Sequence, residues 1–395
     1  MSLSTYYADL HIHIGRDHHG NPVKITGSKT LTLTNILQEA NHRKGIDLVG
    51  VIDCHAPAVQ QEIEQLIGEG SAYELEGGGI RFKDVTLLLG SEIEIYDENC
   101  RGPIHVLCFL PTLIKMKQFT GWLSERMTNI NLSSQRYYGT AKQLQYKTKE
   151  LGGLFIPAHV FTPFKSLYGK GVEQSLAEVL DADLVDAIEL GLSSDTPMAD
   201  QISELHNYTF LTNSDAHSLA KIAREYQAIT MEHPSFTEFE YAIHNVDGRC
   251  IDANYGLHPL LGKYYSTVCS SCLSAVGENQ ACQNCGSVSS VKGVSDRIQE
   301  LKDTNQPSSA RPPYMYQVPL EYIPTLGPKT LNNLLAALGT EMYVLHKATP
   351  AELKKVVSNK IAEAICSMRE GNFDIDAGGG GKYGKIQYSI NVEPK

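Results

Sequence analysis

One tryptophan among 395 residues, and no run approaching the roughly 18 to 20 consecutive apolar residues that span a bilayer, mark what this sequence does without. The first residues, MSLSTYYADLHIH, enter a polar motif at once. No membrane partner is therefore expected, and a cytoplasmic location is. Positive charge is also in short supply, with 34 Lys+Arg against 45 Asp+Glu. The deficit is uneven: residues 291–395 hold 13 basic and 11 acidic side chains, so the acidity belongs to the first 290 residues. Carboxylates gathered around bound cations would account for part of it, and the total leaves a nucleic-acid partner open. Disulfides are not indicated either. Nine cysteines are present, but four of them form two CxxC pairs, a spacing that suits a metal in a reducing compartment. The hydrophobic fraction of 42% and charged fraction of 20% are those of a chain that folds, and this length predicts one large domain with one or two small ones.

Short apolar runs read as buried strands at 47–53 (DLVGVID), 85–95 (VTLLLGSEIEI), 104–110, 153–158 (GLFIPA), 185–190 and 209–213. Mixed polar and apolar segments at 33–44, 136–151, 171–180 and 234–245 separate them and read as helices. Alternation of this kind implies parallel strands joined by crossover helices, in an open α/β sheet or a barrel. His55, Glu92, His159, Asp215 and His217 all fall at or just beyond the ends of these strands. Residues so placed converge on one mouth of a barrel, which favours the barrel.

The run Asp9-Leu10-His11-Ile12-His13 sets both imidazoles on one side of a strand, because side chains alternate with period two. A lone HxH is weak evidence for a metal. Joined by Asp53-Cys54-His55, Glu92, His105, Pro157-Ala158-His159 and Ser214-Asp215-Ala216-His217 at successive strand ends, chance becomes a poor explanation. In order and approximate spacing, DLHIH, DCH in place of the commoner TDH, the Glu of GSEIE, PAH and SDAH resemble the PHP (polymerase and histidinol phosphatase) family. The resemblance covers about residues 5–255.

That resemblance implies a distorted seven-stranded, TIM-like α/β barrel holding two or three divalent ions, zinc, manganese or magnesium, with iron also found in the family. It implies that His11, His13 and Asp215 bind one ion, that Glu92 bridges, that His105 and His159 hold a second, and that His55 with His217 hold a third. Asp215, His217 and Glu92 are then the catalytic residues. A further ligand often follows HxH, and either Asp17 or His19 has suitable spacing. Divalent ions acidify water, neutralise phosphate oxygens and stabilise entering and leaving oxygens, so phosphate-ester hydrolysis is the expected chemistry.

Beyond residue 258 the texture changes. Cys269-x2-Cys272-x9-Cys282-x2-Cys285 has the spacing of a four-thiolate zinc ribbon, a closed structural site, with Gly286 where a tight turn is useful. The remaining five cysteines fit no such pattern. A polar, Pro-rich stretch at 304–316 reads as a linker. The segment from Glu321 to Gly339 (EYIPTLGPKTLNNLLAALG) resembles a helix-hairpin-helix, which seats a DNA phosphate on backbone N–H groups, with Gly327 and Lys329 as the contacts. Thr325 stands where such hairpins have glycine, and a second copy near 358–362 is degenerate. The expected division is a metallo-phosphoesterase barrel (1–258), a zinc ribbon with a connecting helix (259–303), the linker (304–316), a DNA-binding helical module (317–371) and a Gly-rich tail (372–395).

Barrel, ribbon, hairpin and a KYGKI-type tail together resemble the endonuclease Q family over nearly the whole chain. The resemblance implies a DNA-repair enzyme that cuts 5′ of uracil, hypoxanthine or an abasic site, in double- or single-stranded DNA. It leaves open a replication sliding clamp as a further partner. Lys24, Lys29, Phe161, Lys165 and Tyr168 lie in loops next to the HxH and PAH motifs and are the candidate contacts to phosphate and base. A small-molecule phosphatase would leave the ribbon and hairpin idle. A DNA-binding adaptor with an inactive barrel would leave the ligand set idle.

Overall fold

The computed structural model describes residues 2–262, 264–277, 280–308, 311–323, 325–372, 374–376 and 384–387. Its centre is an eleven-stranded sheet that curls on itself. Ten strands build and flank the site: β1 (Ser4–Ile12), β2 (Leu48–Val51), β3 (Val85–Ile95), β4 (Ile104–Leu110), β5 (Leu154–Pro157), β6 (Ala187–Glu189), β7 (Thr209–Leu211), β8 (Tyr226–Met231), β9 (Cys250–Gly256) and β10 (Tyr314–Tyr316). β1 runs parallel to β2 and β2 to β3. Both faces of β3 are covered, which explains a run as apolar as VTLLLG. Gly50 admits the Leu10 carbonyl, which would stand 2.5 Å from a Cβ placed there, just where the β1–β2 register slips beside HxH.

The expectation of an all-parallel arrangement does not hold. β4 is antiparallel to both β3 and β5. The connection between β3 and β4, residues 96–103, is too short for a crossover, so the chain turns straight back. His105 therefore reaches the mouth from the beginning of its strand rather than the end. The predicted helix at 171–180 is likewise replaced by short turns, Leu167–Gly171 and Leu176–Glu178.

Backbone hydrogen bonds extend the ring past the ladders. Asp186 donates to the Phe155 carbonyl, linking β6 to β5, and β6 pairs with β7 in parallel. Beyond β7 the chain returns to β1, where Ala216 N–H donates to the His11 carbonyl and His13 N–H to the Ala216 carbonyl. On the other side of β1 the sheet continues through β8, β9 and β10.

The stretch expected to be a linker is docked rather than free. Residues 314–316 form β10 on the edge of β9, and Arg311 donates to Asp200 while lying over the Phe210 ring. Helices Pro328–Leu338, Glu341–His346, Pro350–Val356 and Asn359–Arg369 make up the C-terminal module. One contiguous apolar cluster runs from Ile12 to Met368, so module and barrel share a core. Lys44 and Glu341 form a buried ion pair at 2.9 Å across that junction, and Tyr7 stacks on His346. Gly378–Gly381, Lys382 and Tyr383 of the tail lie outside the described residues. No helix among the described residues is long and apolar enough to cross a membrane.

Candidate metal centre

Seven of the predicted ligands meet at the mouth. Three groups of side chains hold their donor atoms within 4.8 Å of one another: His11, His13 and Glu92; Glu92, His105 and His159; His13, Asp215 and His217. Glu92 belongs to two of them and His13 to two. Glu92 Oε1 lies 3.5 Å from His11 Nε2, 2.8 Å from His105 Nδ1 and 3.3 Å from His159 Nε2. Asp215 Oδ1 lies 3.6, 3.4 and 3.3 Å from the Nε2 atoms of His11, His13 and His217.

These residues fit divalent ions. His11 Nε2 and both ring nitrogens of His105 are buried without an aligned hydrogen bond, although carboxylate oxygens face them. An ion between such atoms would stand about 2.0–2.2 Å from each and satisfy nitrogen and oxygen together. Burial opposes ionisation of Glu92, yet His105 and Lys24 outweigh it and hold the carboxyl well below its ordinary range. Burial likewise opposes ionisation of Asp215, and His11 and His13 overcome it. Both oxygens are thus ready as anionic donors.

The backbone at two ligands is unusual. His159 and Asp215 are non-glycine residues with φ of 32° and 45°, each just past a strand end. Strain of this kind persists where surrounding contacts impose it. Here Arg224 donates to the Ser214 carbonyl, and the His159 N–H is held by Glu189 at 2.8 Å.

Behind the donor atoms a further set of side chains fixes each ring. Glu189 receives His11 Nδ1 at 2.9 Å. Asp53 and Ser133 face His13 Nδ1 at 3.3 and 3.0 Å. Thr162 pairs with His159 Nδ1 and Thr26 with His217 Nδ1, each at 3.2 Å. Such partners set the tautomer and the direction of the lone pair. The motif reading missed Glu189, which sits inside an otherwise ordinary strand, AIEL, and missed Ser133, Ser134 and Thr162. Ser134 contacts Glu92 from a loop with no motif of its own.

Four other expectations are corrected. His55 joins none of the groups, because its Nδ1 is paired with Ser91 and its Nε2 with the Leu132 carbonyl. Asp17 turns back to cap its own loop, accepting from the N–H groups of His19 and Asn21, while the His19 ring packs on His18 at the exposed surface. The loop after HxH supplies no ligand here. Phe161 and Tyr168 are 1% and 0% exposed, stacked on one another, and Tyr168 donates to Glu204. They are core residues, so neither can meet a base.

The exposed aromatic of that loop is Phe164, which meets Tyr264 edge-on at 5.3 Å. Phe164, Tyr264, Lys24 and Lys165 line the same cavity of about 330 Å³ as the ligands. Lys24 Nζ reaches Ser134 at 2.6 Å and Glu92 at 3.4 Å, and Lys165 pairs with Glu94 at 2.7 Å. Lys29 is exposed farther out, beside Arg16 and His18.

The four cysteine sulfurs of the ribbon also converge within 4.8 Å. Gly286, with φ of 72°, makes the turn there, its N–H donating to the Cys282 carbonyl. Side-chain hydrogen bonding with Ser274 and Asn284 holds the Cys272 thiol down at about 5. The helix after the ribbon supports the cavity. Arg297, on helix Val294–Leu301, donates to the carbonyls of Tyr168, Val172 and Glu173 in the loop that carries Phe164. In the C-terminal module Gly327 is exposed at the start of helix Pro328–Leu338 and Lys329 is exposed in its first turn. Thr325 takes φ of 71°, so the left-handed turn is present without the glycine.

A curled α/β sheet gathering three His/carboxylate groups, two of them sharing Glu92, defines a metal-dependent hydrolase. No protein-family model matches the chain. It is 58% identical over 386 residues to the uncharacterized protein YqxK of Bacillus subtilis (strain 168), covering 98% of this chain and 100% of that one. The crystal structure of the lesion-specific endonuclease PfuEndoQ from Pyrococcus furiosus superposes with a TM-score of 0.85 at 32% identity, covering 99% of this chain and 98% of that chain. Endonuclease Q in complex with a 27-mer duplex carrying an abasic lesion at the active site gives the same TM-score and identity over 99% of both chains. The chain belongs to the endonuclease Q family.

Proposed function

We propose that this protein is a DNA-repair endonuclease that hydrolyses the phosphodiester bond 5′ of a deaminated base, uracil or hypoxanthine, or of an abasic site. The observation that carries the reading is the whole-chain likeness to a solved complex in which lesion-bearing duplex lies at the active site. The seven-residue ligand set around Glu92 supports it from this chain's own side.

His11, His13 and Glu92, with Asp215, would hold one ion. Glu92, His105 and His159 would hold a second, and His13, Asp215 and His217 a third. Imidazoles in every group favour zinc or manganese over magnesium. When bound, such ions supply an acidified water and neutralise phosphate charge. Glu189, Asp53, Thr162 and Thr26 keep the imidazole lone pairs aimed inward. Lys24, at the cavity wall, places an ammonium beside the same phosphate. Phe164 and Tyr264 offer a ring edge and face on which an extruded base can stack.

The strands that ring the site, β1 to β7, are read as the seven-stranded PHP barrel. The helices from Pro328 onward are read as the helix-hairpin-helix that holds flanking DNA through Gly327 and Lys329, and the ribbon as a structural zinc site. A duplex with one uracil, hypoxanthine or abasic site is incubated with the protein and manganese, and the nick is mapped. A cut immediately 5′ of the lesion is expected. Turnover of a chromogenic phosphomonoester alone would replace this reading with that of a small-molecule phosphatase.

A further inference from the structure

Lys24 and Thr26 both touch the metal centre, and the residue between them lies open to solvent. Lys24 reaches Glu92 and Ser134, and Thr26 pairs with His217. Ile25 is 70% exposed. It occupies the first central position of a β-turn, closed by the Gly27 N–H donating to the Lys24 carbonyl at 2.9 Å. Central turn positions ordinarily carry Gly, Pro, Asn, Asp or Ser, so a large β-branched hydrocarbon there gains nothing for the turn.

The turn is rigidly held. Lys24 N–H donates to the Ile14 carbonyl at 2.7 Å and Ser28 N–H to the His217 carbonyl at 2.9 Å. Gly27 lies so close beneath it that an added Cβ would stand 2.8 Å from the Gly15 Cα. Ile25 adds its own stiffness, because branching at Cβ restricts χ1. A stiff apolar side chain is thus fixed at the rim, one residue from two groups that contact metal ligands. Successive Cα atoms are about 3.8 Å apart, close to the spacing of stacked bases.

We infer that Ile25 is a wedge that enters the base stack of duplex DNA beside the nucleotide presented to the metal centre. The inference rests on the nuclease reading above and adds the step by which the nucleotide leaves the duplex. Apolar side chains inserted at a base step partly unstack it and offset the cost of opening. The hydrocarbon then gains the burial that water denies it on the free protein. A single-stranded substrate has no stack to open and gains nothing from the wedge.

The test compares one uracil-containing strand alone and in duplex, with manganese present. Ile25→Ala is expected to lower the duplex-to-single-strand ratio of kcat/KM about tenfold, and Ile25→Met to restore most of it. With metal chelated, 2-aminopurine beside the lesion is expected to brighten on duplex binding by the unsubstituted protein and less with Ile25→Ala. An unchanged ratio, or equal loss on both substrates, overturns the wedge while leaving the nuclease reading intact. If the unsubstituted protein cuts neither substrate, the nuclease reading falls and the wedge falls with it.

Discussion

Glu189 and His11 form a buried pair at 2.9 Å that orients the first imidazole of the HxH motif, and the same carboxylate holds the backbone of His159. One side chain thereby sets the direction of ligands in two ion groups. Loss of such a partner ordinarily weakens metal binding by about 10- to 100-fold. Glu189→Gln keeps the shape and removes the charge. Calorimetric titration of the metal-stripped protein with manganese should show weaker binding in that range, and unchanged affinity would remove Glu189 from this role.

Asp215 stands with Oδ1 within 3.6 Å of three imidazoles and its backbone at positive φ. Asp215→Asn should lower cleavage by on the order of a thousandfold, since several kcal/mol of charge stabilisation depend on the ions it helps to hold. Asparagine tolerates left-handed backbone, so the thermal midpoint should move little. Substantial turnover by a folded variant would contradict the ligand assignment.

Lys44 and Glu341 are joined at 2.9 Å where the C-terminal module packs on the barrel. Removing Glu341 strands the Lys44 ammonium away from water, at about 3–5 kcal/mol, whereas removing Lys44 leaves Glu341 facing Arg43 at 3.4 Å. Glu341→Ala should therefore lower stability in denaturant by that order, and Lys44→Met with Glu341→Leu should recover most of it. A near-neutral single substitution would show that water reaches the pair.

Glu225 is fully buried, and burial raises its carboxyl from 4.5 to about 8. In the unfolded chain it ionises near 4.5, so folding binds a proton at intermediate pH. Stability from this group is unaffected below about 4.5 and declines as pH rises to about 8, by at most about 1.4 kcal/mol per pH unit. Glu225→Gln should raise the thermal midpoint more at pH 8 than at pH 5. An increment independent of pH would place the charge elsewhere.

The sequence disclosed those parts of the site that depend on local spacing. HxH puts two rings on one side at the end of β1 because the pleat alternates, PAH and SDAH follow strand ends, and Glu92 lies inside β3. The orienting residues were hidden, since Glu189 reads as one acidic position in a short strand and becomes informative only when β6 lies between β5 and β7 and the carboxylate meets His11. The aromatic loop misled for a related reason. Phe161, Phe164 and Tyr168 look alike in sequence, but the turn Leu167–Gly171 folds two of them into the core and leaves Phe164 outside. Asp17 was captured by its own turn, a short-range competition that ligand spacing does not reveal. The direction of β4 followed from connection length, which the strand pattern contained but did not emphasise.

The pairing of β10 with β9 also governs the order of events during synthesis. When Gly256 emerges from the ribosome the barrel's strands are all made, but the outer edge of β9 has no neighbour until Tyr314 follows. At ordinary elongation rates the intervening residues take roughly 3–12 seconds. Through that interval a row of backbone donors and acceptors stands open to another nascent chain. The four-cysteine segment and the helix after it are made within this interval, and Arg297 can already tie them to the barrel before the closing strand arrives.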